Sequence, residues 1–184
     1  MEHMDEKDLV KRILDGETQS FSLLLERYQR PVHSLIRQII PCHEEAEELT
    51  QDVFVKVFTS LDKFRGDCSF STWLWRIAYN TAITATRKKK IVFPDVDDVR
   101  LTNLPDESVD ELLEKMDNEE QLKCLEKAVD QLNVEEKTLI SLYYTEDKAV
   151  TEIAAILQLS PDNVKVKLFR TRKKLVILMQ HGKR

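Results

Sequence analysis

Apolar residues recur along most of this chain at intervals of three and four, the spacing that gathers side chains on one face of an α-helix. Leu9, Val10, Ile13 and Leu14 form the first such stripe, over about Asp5 to Leu14, and Gly16 behind it supplies a helix stop. From Ser20 to Ile40 the pattern runs through Phe21, Leu24, Leu25, Tyr28, Val32, Leu35, Ile36 and Ile39. Pro31 should kink or interrupt that helix, and Pro41 closes it. A third helix is predicted over about Glu44 to Leu61, with Ala46, Leu49, Val53, Val57 and Leu61 inward and Glu45, Glu48, Gln51, Asp52, Lys56 and Thr59 outward. After the loop DKFRGDCSF a fourth begins near Ser71, turns Leu74, Ile77, Ala78 and Thr81 to one face, and reaches a basic run at Arg87.

The periodicity fails between Ile91 and about Met116, where Pro94 and Pro105 interrupt it and acidic residues repel one another, as expected of a flexible or partner-ordered linker. It resumes with Leu122, Leu125, Val129 and Leu132, and Asn133 with Glu136 has the spacing of a capping box opening a helix through Leu139, Ile140 and Tyr143. Next comes the outline of a helix-turn-helix. Thr151 is the predicted cap of its first helix, whose Ile153, Ala154 and Leu157 share a face; Ser160 and Pro161 then supply an N-cap and a first-position proline. From Pro161 to about Met179 the second helix would span roughly 28 Å, enough to lie along a major groove. Its Val164, Leu168, Leu175 and Leu178 face the domain, while Lys165, Lys167, Arg170, Arg172, Lys173 and Lys174 face away. The expected fold is all-α: two small helical domains, 1–90 and 118–184, joined by an acidic linker over 91–117, the second containing the helix-turn-helix.

Composition agrees with helices, since the chain of 184 residues has three glycines and is 42% hydrophobic and 33% charged. Neither the Leu175–Met179 run nor the N-terminus MEHMDEKDLVKR is apolar over a membrane-spanning or signal-peptide length, which predicts a cytoplasmic protein. Cys42, Cys68 and Cys124 form no CxxC pair and predict neither disulfides nor a zinc site. No glycine-rich phosphate loop occurs, and His3, His33, His43 and His181 stand apart without a nucleophile motif, so no catalytic residue, metal or cofactor is expected.

The net charge of −5 hides segregation along the chain. Between Lys63 and Lys90 the cations Lys63, Arg65, Arg76, Arg87, Lys88, Lys89 and Lys90 meet only Asp67, whereas the stretch from Asp95 to Glu120 is strongly acidic. Local cationic surfaces hold phosphates whatever the total charge, because screening confines the field to roughly 8–10 Å. The basic segment also carries Phe64, Phe70, Trp73, Trp75 and Tyr79, an interleaving that suits stacking on unpaired bases. Aromatics at helical spacing suit a core equally well, and about half of these are assigned there.

The string HEEAEELTQDVFVKVFTSLDKFRGDCSFSTWLWRIAYN resembles region two of the extracytoplasmic-function sigma factors of bacterial RNA polymerase, and EIAAILQLSPDNVKVKLFRTRKKL resembles their region-four helix-turn-helix. The resemblance implies a promoter-specificity subunit whose partners are core polymerase, a duplex −35 element, a melted −10 element and an anti-sigma factor. It implies polymerase contacts at Glu48, Leu49, Gln51, Asp52, Val55 and Lys56. For the −10 element it implies Phe64, Arg65, Trp73, Trp75, Arg76, Asn80 and Arg87, and for the −35 element Lys165, Val166, Lys167, Phe169, Arg170, Arg172 and Lys173. Two positions depart from the pattern: Gln158 stands where such turns often place glycine, at the expense of a fraction of a kcal/mol if that backbone is left-handed. Val166 is apolar where a small polar residue is common. The competing reading is a stand-alone helix-turn-helix regulator, which leaves the aromatic-basic segment unexplained.

Overall fold

A computed structural model of the chain describes residues 5–88 and 118–181; the linker expected over 91–117 lies outside the described residues, as do Lys89 and Lys90. The described elements are α1 (Glu6–Leu14), α2 (Phe21–Ile39), α3 (His43–Thr59), α4 (Phe70–Lys88), α5 (Asn118–Asp130), α6 (Val134–Ile140), α7 (Val150–Leu157) and α8 (Pro161–His181). Short helical turns occur at Thr18–Ser20, Leu61–Lys63 and Ser141–Thr145, and no strand occurs among the described residues. These residues form two compact units, 5–88 with 152–159 and 118–151 with 160–181.

In the first unit α2, α3 and α4 pack on one another and α1 packs on α2. Leu24, Val32, Ile36, Val53, Val57, Leu74 and Ala78 lose all contact with solvent there. Burying each large aliphatic side chain among them is worth about 1.5–3 kcal/mol. That face explains why Pro31 neither breaks nor ends α2: the helix continues through it, with Leu24 and Tyr28 before and Val32, Leu35, Ile36 and Ile39 after all buried on one side. Burial on this scale offsets the roughly 3 kcal/mol that an interior proline removes.

The ends of α1 follow from local chemistry. Asp5 caps it by accepting from the Lys7 amide at 3.4 Å. At the other end Gly16 adopts φ +103°, and the amides of Gly16 and Glu17 donate to the carbonyls of Ile13 (3.1 Å) and Arg12 (2.9 Å), the paired bonds of a Schellman stop. Leu14, expected inside, is 50% exposed because the helix ends there with its last turn facing water. The Tyr28 hydroxyl donates to Glu6 Oε1 and ties α2 to α1; burial, reinforced by that carboxylate, pushes the phenol pKa well above its ordinary value.

In the second unit α5 and α6 pack against α8, burying Ala128, Leu132, Val134, Leu139, Leu142, Val164, Leu168 and Val176. The Asn133 side chain accepts from the Glu136 amide and the Glu136 carboxylate accepts from the Asn133 amide, both at 2.9 Å, completing the expected capping box. Helix α6 is shorter than expected: Tyr143 falls in the wide Ser141–Thr145 turn that follows it. Along α8 the buried stripe is Val164, Leu168, Thr171, Lys174 and Val176, while Leu175 and Leu178 are only half-buried.

Candidate nucleic-acid interface

Helix α3 buries Ala46, Thr50, Val53, Phe54 and Val57 and leaves its opposite side free of the core. Glu48, Gln51, Asp52, Val55 and Lys56 are exposed and Leu49 is half-buried, so the expected polymerase contacts share one accessible stripe. Val55 is an apolar centre among polar neighbours, 61% exposed. One turn on, Phe58 is also exposed, its ring edge-to-face with Phe21 at 5.0 Å. Spacing alone gives no hint of this pair, because positions three apart read as one more inward turn.

An open groove of about 540 Å³ separates α3 from α4, lined by Leu49, Asp52 and Lys56 on one side and Ile77, Asn80, Thr81 and Thr84 on the other. Lys56 Nζ bridges it by donating to Thr81 Oγ1 at 3.2 Å. The fold thus brings the Asn80 expected at the −10 element beside residues expected at the polymerase.

The aromatic segment divides differently from the sequence expectation. Trp75 is 1% exposed and Trp73 9%, and both belong to the core. Trp75 has no face left for a base, which corrects its expected role; Trp73 lies against Phe64 at 5.3 Å and Phe70 at 6.1 Å and exposes little more. Helix α4 is apolar around most of its circumference, so its tryptophans are covered by α2 and α3 packing on two sides rather than one. What remains accessible is Phe64, half-buried, with Arg65, Asn80 and Arg87 exposed and Arg76 half-buried. Gly66 at φ +76° turns the loop that carries Phe64 and Arg65.

In the turn between α7 and α8 the backbone at Gln158 is left-handed, with φ +58°. Helix α7 starts at Val150, so Thr151 sits inside its first turn rather than capping it. Ser160 does cap α8, its hydroxyl accepting from the Asn163 amide at 3.2 Å. On α8, Lys165, Val166, Phe169 and Arg170 are exposed, while Lys167, Arg172 and Lys173 are half-buried. Lys174, read from sequence as outward, is instead 7% exposed and pairs with Glu136 at 2.8 Å, because α6 packs over that side of α8.

Comparison with known proteins gives two family matches, Sigma-70 region 2 over residues 24–91 and Sigma-70 region 4 over residues 122–175. The chain is also 31% identical over 180 residues to the ECF RNA polymerase sigma-E factor of Escherichia coli K12, covering 93% of this chain and 92% of that one. The chain belongs to the extracytoplasmic-function sigma factors. A second relative, the RNA polymerase sigma-H factor of Pseudomonas aeruginosa, is 29% identical over 174 residues, covering 91% of this sigma factor and 90% of the relative. The fold is shared with solved structures: the sigma factor RpoE in complex with the anti-sigma factor NepR from Bartonella quintana has a TM-score of 0.64 at 19% identity, covering 88% of this chain and 98% of that chain. CnrH in complex with the cytosolic domain of CnrY has 0.62 at 21%, covering 96% and 97%.

A sigma factor directs core RNA polymerase to promoters, and the match to region 2 as well as region 4 is what a stand-alone helix-turn-helix regulator would lack. Among the described residues of this sigma factor no helix is long and apolar enough to cross a membrane. Tyr143 and Tyr144, absent from the sequence-derived contact set, stand against the Arg172 guanidinium. Consecutive tyrosines after an amphipathic helix carry no signal that they meet a residue nearly thirty positions away.

Proposed function

We propose that this sigma factor divides promoter selection among three surfaces in two domains, 1–90 and 118–184, tethered by residues 91–117. The α3 stripe of Glu48, Leu49, Gln51, Asp52, Val55 and Lys56 docks on core polymerase, an apolar centre within a polar rim. Phe64 and Arg65 in the loop before α4, with Arg76, Asn80 and Arg87 along it, hold the melted −10 strand. Trp73 supports Phe64 from beneath. On α8, Lys165, Val166, Lys167, Phe169 and Arg170 address the −35 duplex and Arg172 and Lys173 its phosphates.

The observation that carries this reading is that α3 and α8 each keep one buried stripe and leave exposed or half-buried the residues that the resemblance assigns to polymerase and DNA. Two weak readers gain affinity only when both sites are reachable together, so the tether and the polymerase become part of the specificity. The chain acts in the cytoplasm and catalyses no reaction of its own. An anti-sigma factor is a natural further partner, since the structural neighbours RpoE and CnrH were solved with NepR and CnrY.

Run-off transcription with purified core polymerase and a randomised promoter library tests the whole reading. Enrichment of two sequence blocks at fixed separation is expected, and Asp52→Arg should abolish it while leaving the chain folded. Initiation profiles identical with and without the chain would refute it.

A further inference from the structure

Three cations on α8 end on carboxylates: Lys165 on Asp162 at 3.4 Å, Lys167 on Glu135 at 3.0 Å and Lys174 on Glu136 at 2.8 Å. Two others end on aromatic faces. The guanidinium carbon of Arg172 stands 5.4 Å from the centre of the Tyr143 ring and 5.6 Å from that of Tyr144, and Lys173 Nζ stands 4.3 Å from that of Phe169. The two tyrosines pack edge-to-face at 4.9 Å, and Tyr144 is 57% exposed. Among the described residues Arg172 Nε is buried without a hydrogen-bond partner.

A ring face leaves a cation in a different state from a carboxylate. Its quadrupole steadies the guanidinium, but it neither cancels the charge nor takes up the in-plane N–H donors. Arg172 is therefore oriented while still charged. A duplex phosphate meeting it releases counterions without first displacing an ion pair, whereas Lys165 and Lys167 must exchange Asp162 and Glu135 for DNA. The backbone explains how both rings reach one cation. In a regular α-helix neighbouring side chains diverge by about 100°. The wide Ser141–Thr145 turn, closed by the Glu146 amide donating to Ser141 at 3.0 Å, departs from that geometry, as such turns often do at functional sites.

We propose that Tyr143, Tyr144 and Arg172 form a phosphate clamp for duplex DNA beside the recognition helix, the two rings acting as positioning residues that hold the guanidinium extended and charged. The clamp rests on the reading of α8 as the −35 contact and adds to it two residues from outside the helix-turn-helix.

The test uses holoenzyme assembled from core polymerase and the full chain, with affinity for promoter duplex measured across a range of salt. Arg172→Ala should lower the slope of log affinity against log salt by about one. Tyr144→Leu should weaken binding about two- to fivefold, Tyr144→Phe should keep wild-type affinity because the ring face remains, and Tyr144→Leu should add no further loss to Arg172→Ala. Circular dichroism melts of each variant report whether the unit stays folded, and equal melting with altered salt slope is the expected signature. An unchanged slope in Arg172→Ala, or fully additive losses in the double variant, would overturn the clamp. A wild-type holoenzyme indifferent to the −35 sequence would overturn the reading of α8 itself, and the clamp with it.

Discussion

Replacing Glu136 by alanine should destabilise the second unit several times more than replacing its partner Lys174 by methionine. Glu136 accepts from Lys174 Nζ at 3.0 Å through Oε1 and 2.8 Å through Oε2, and from the Asn133 amide at 2.9 Å. Lys174 is 7% exposed, so Glu136→Ala leaves an ammonium in the interior with no counter-charge. Breaking a buried pair from one side costs about 3–5 kcal/mol, and the lost half of the capping box about 1 kcal/mol more. Lys174→Met removes the charge that needed a partner and keeps the aliphatic stem, while Glu136 retains the Asn133 bond and partial solvation; a loss near 1 kcal/mol is expected. Both tryptophans lie in the first unit, so urea unfolding followed by tryptophan fluorescence reports on that unit and far-ultraviolet circular dichroism on the whole chain. With a urea slope of about 1–2 kcal/mol/M for so small a unit, Glu136→Ala should move the second dichroism transition by about 2 M or more and leave the fluorescence transition in place. Equal losses in the two variants, or a Glu136→Ala loss below about 1 kcal/mol, would refute the argument that burial makes this pair asymmetric.

Gln158→Gly should stabilise the chain by about 0.5–1 kcal/mol, because φ +58° disfavours a side chain; a urea midpoint that falls would contradict this. Glu146→Gln should stabilise at neutral pH. Burial raises the Glu146 carboxyl above its ordinary value, with Lys148 pulling partly back, so the folded state holds that proton more tightly than the unfolded one. The stability linked to it is full below the ordinary carboxylate pKa and fades as pH rises through the raised one, so the gain from glutamine should vanish in acid. A gain independent of pH would point to another cause.

The parts of this sigma factor legible in one dimension are those whose causes are local. Caps and stops depend on residues within one turn: the Gly16 stop, the Asn133–Glu136 box and the Ser160 cap all form as their spacing requires, while Asp5, read from sequence as the start of the first helix, is its cap. Thr151 does not cap α7, because that helix already begins one residue earlier, at Val150. An amphipathic helix such as α2 declares its inner face, since its apolar residues gather mainly on one stripe, whereas α3 also carries the exposed Val55 and Phe58.

Where a helix offers more than one apolar face, or where a charge has an aliphatic stem, the choice belongs to the packing partners. Helix α4 carries Trp73, Trp75 and Tyr79 around its circumference, and only the positions of α2 and α3 decide that Trp75 is sealed while Phe64 in the preceding loop stays accessible. Lys173 and Lys174 are adjacent and chemically identical; α6 covers the second and supplies its carboxylate, while the first lies on Phe169. Periodicity thus establishes that helices form and which have a single inner side, because the helical repeat is a property of the chain. Which aromatic and which cation remain available to DNA and polymerase is a property of neighbours distant in sequence, and burial energies are summed only once those neighbours are in place.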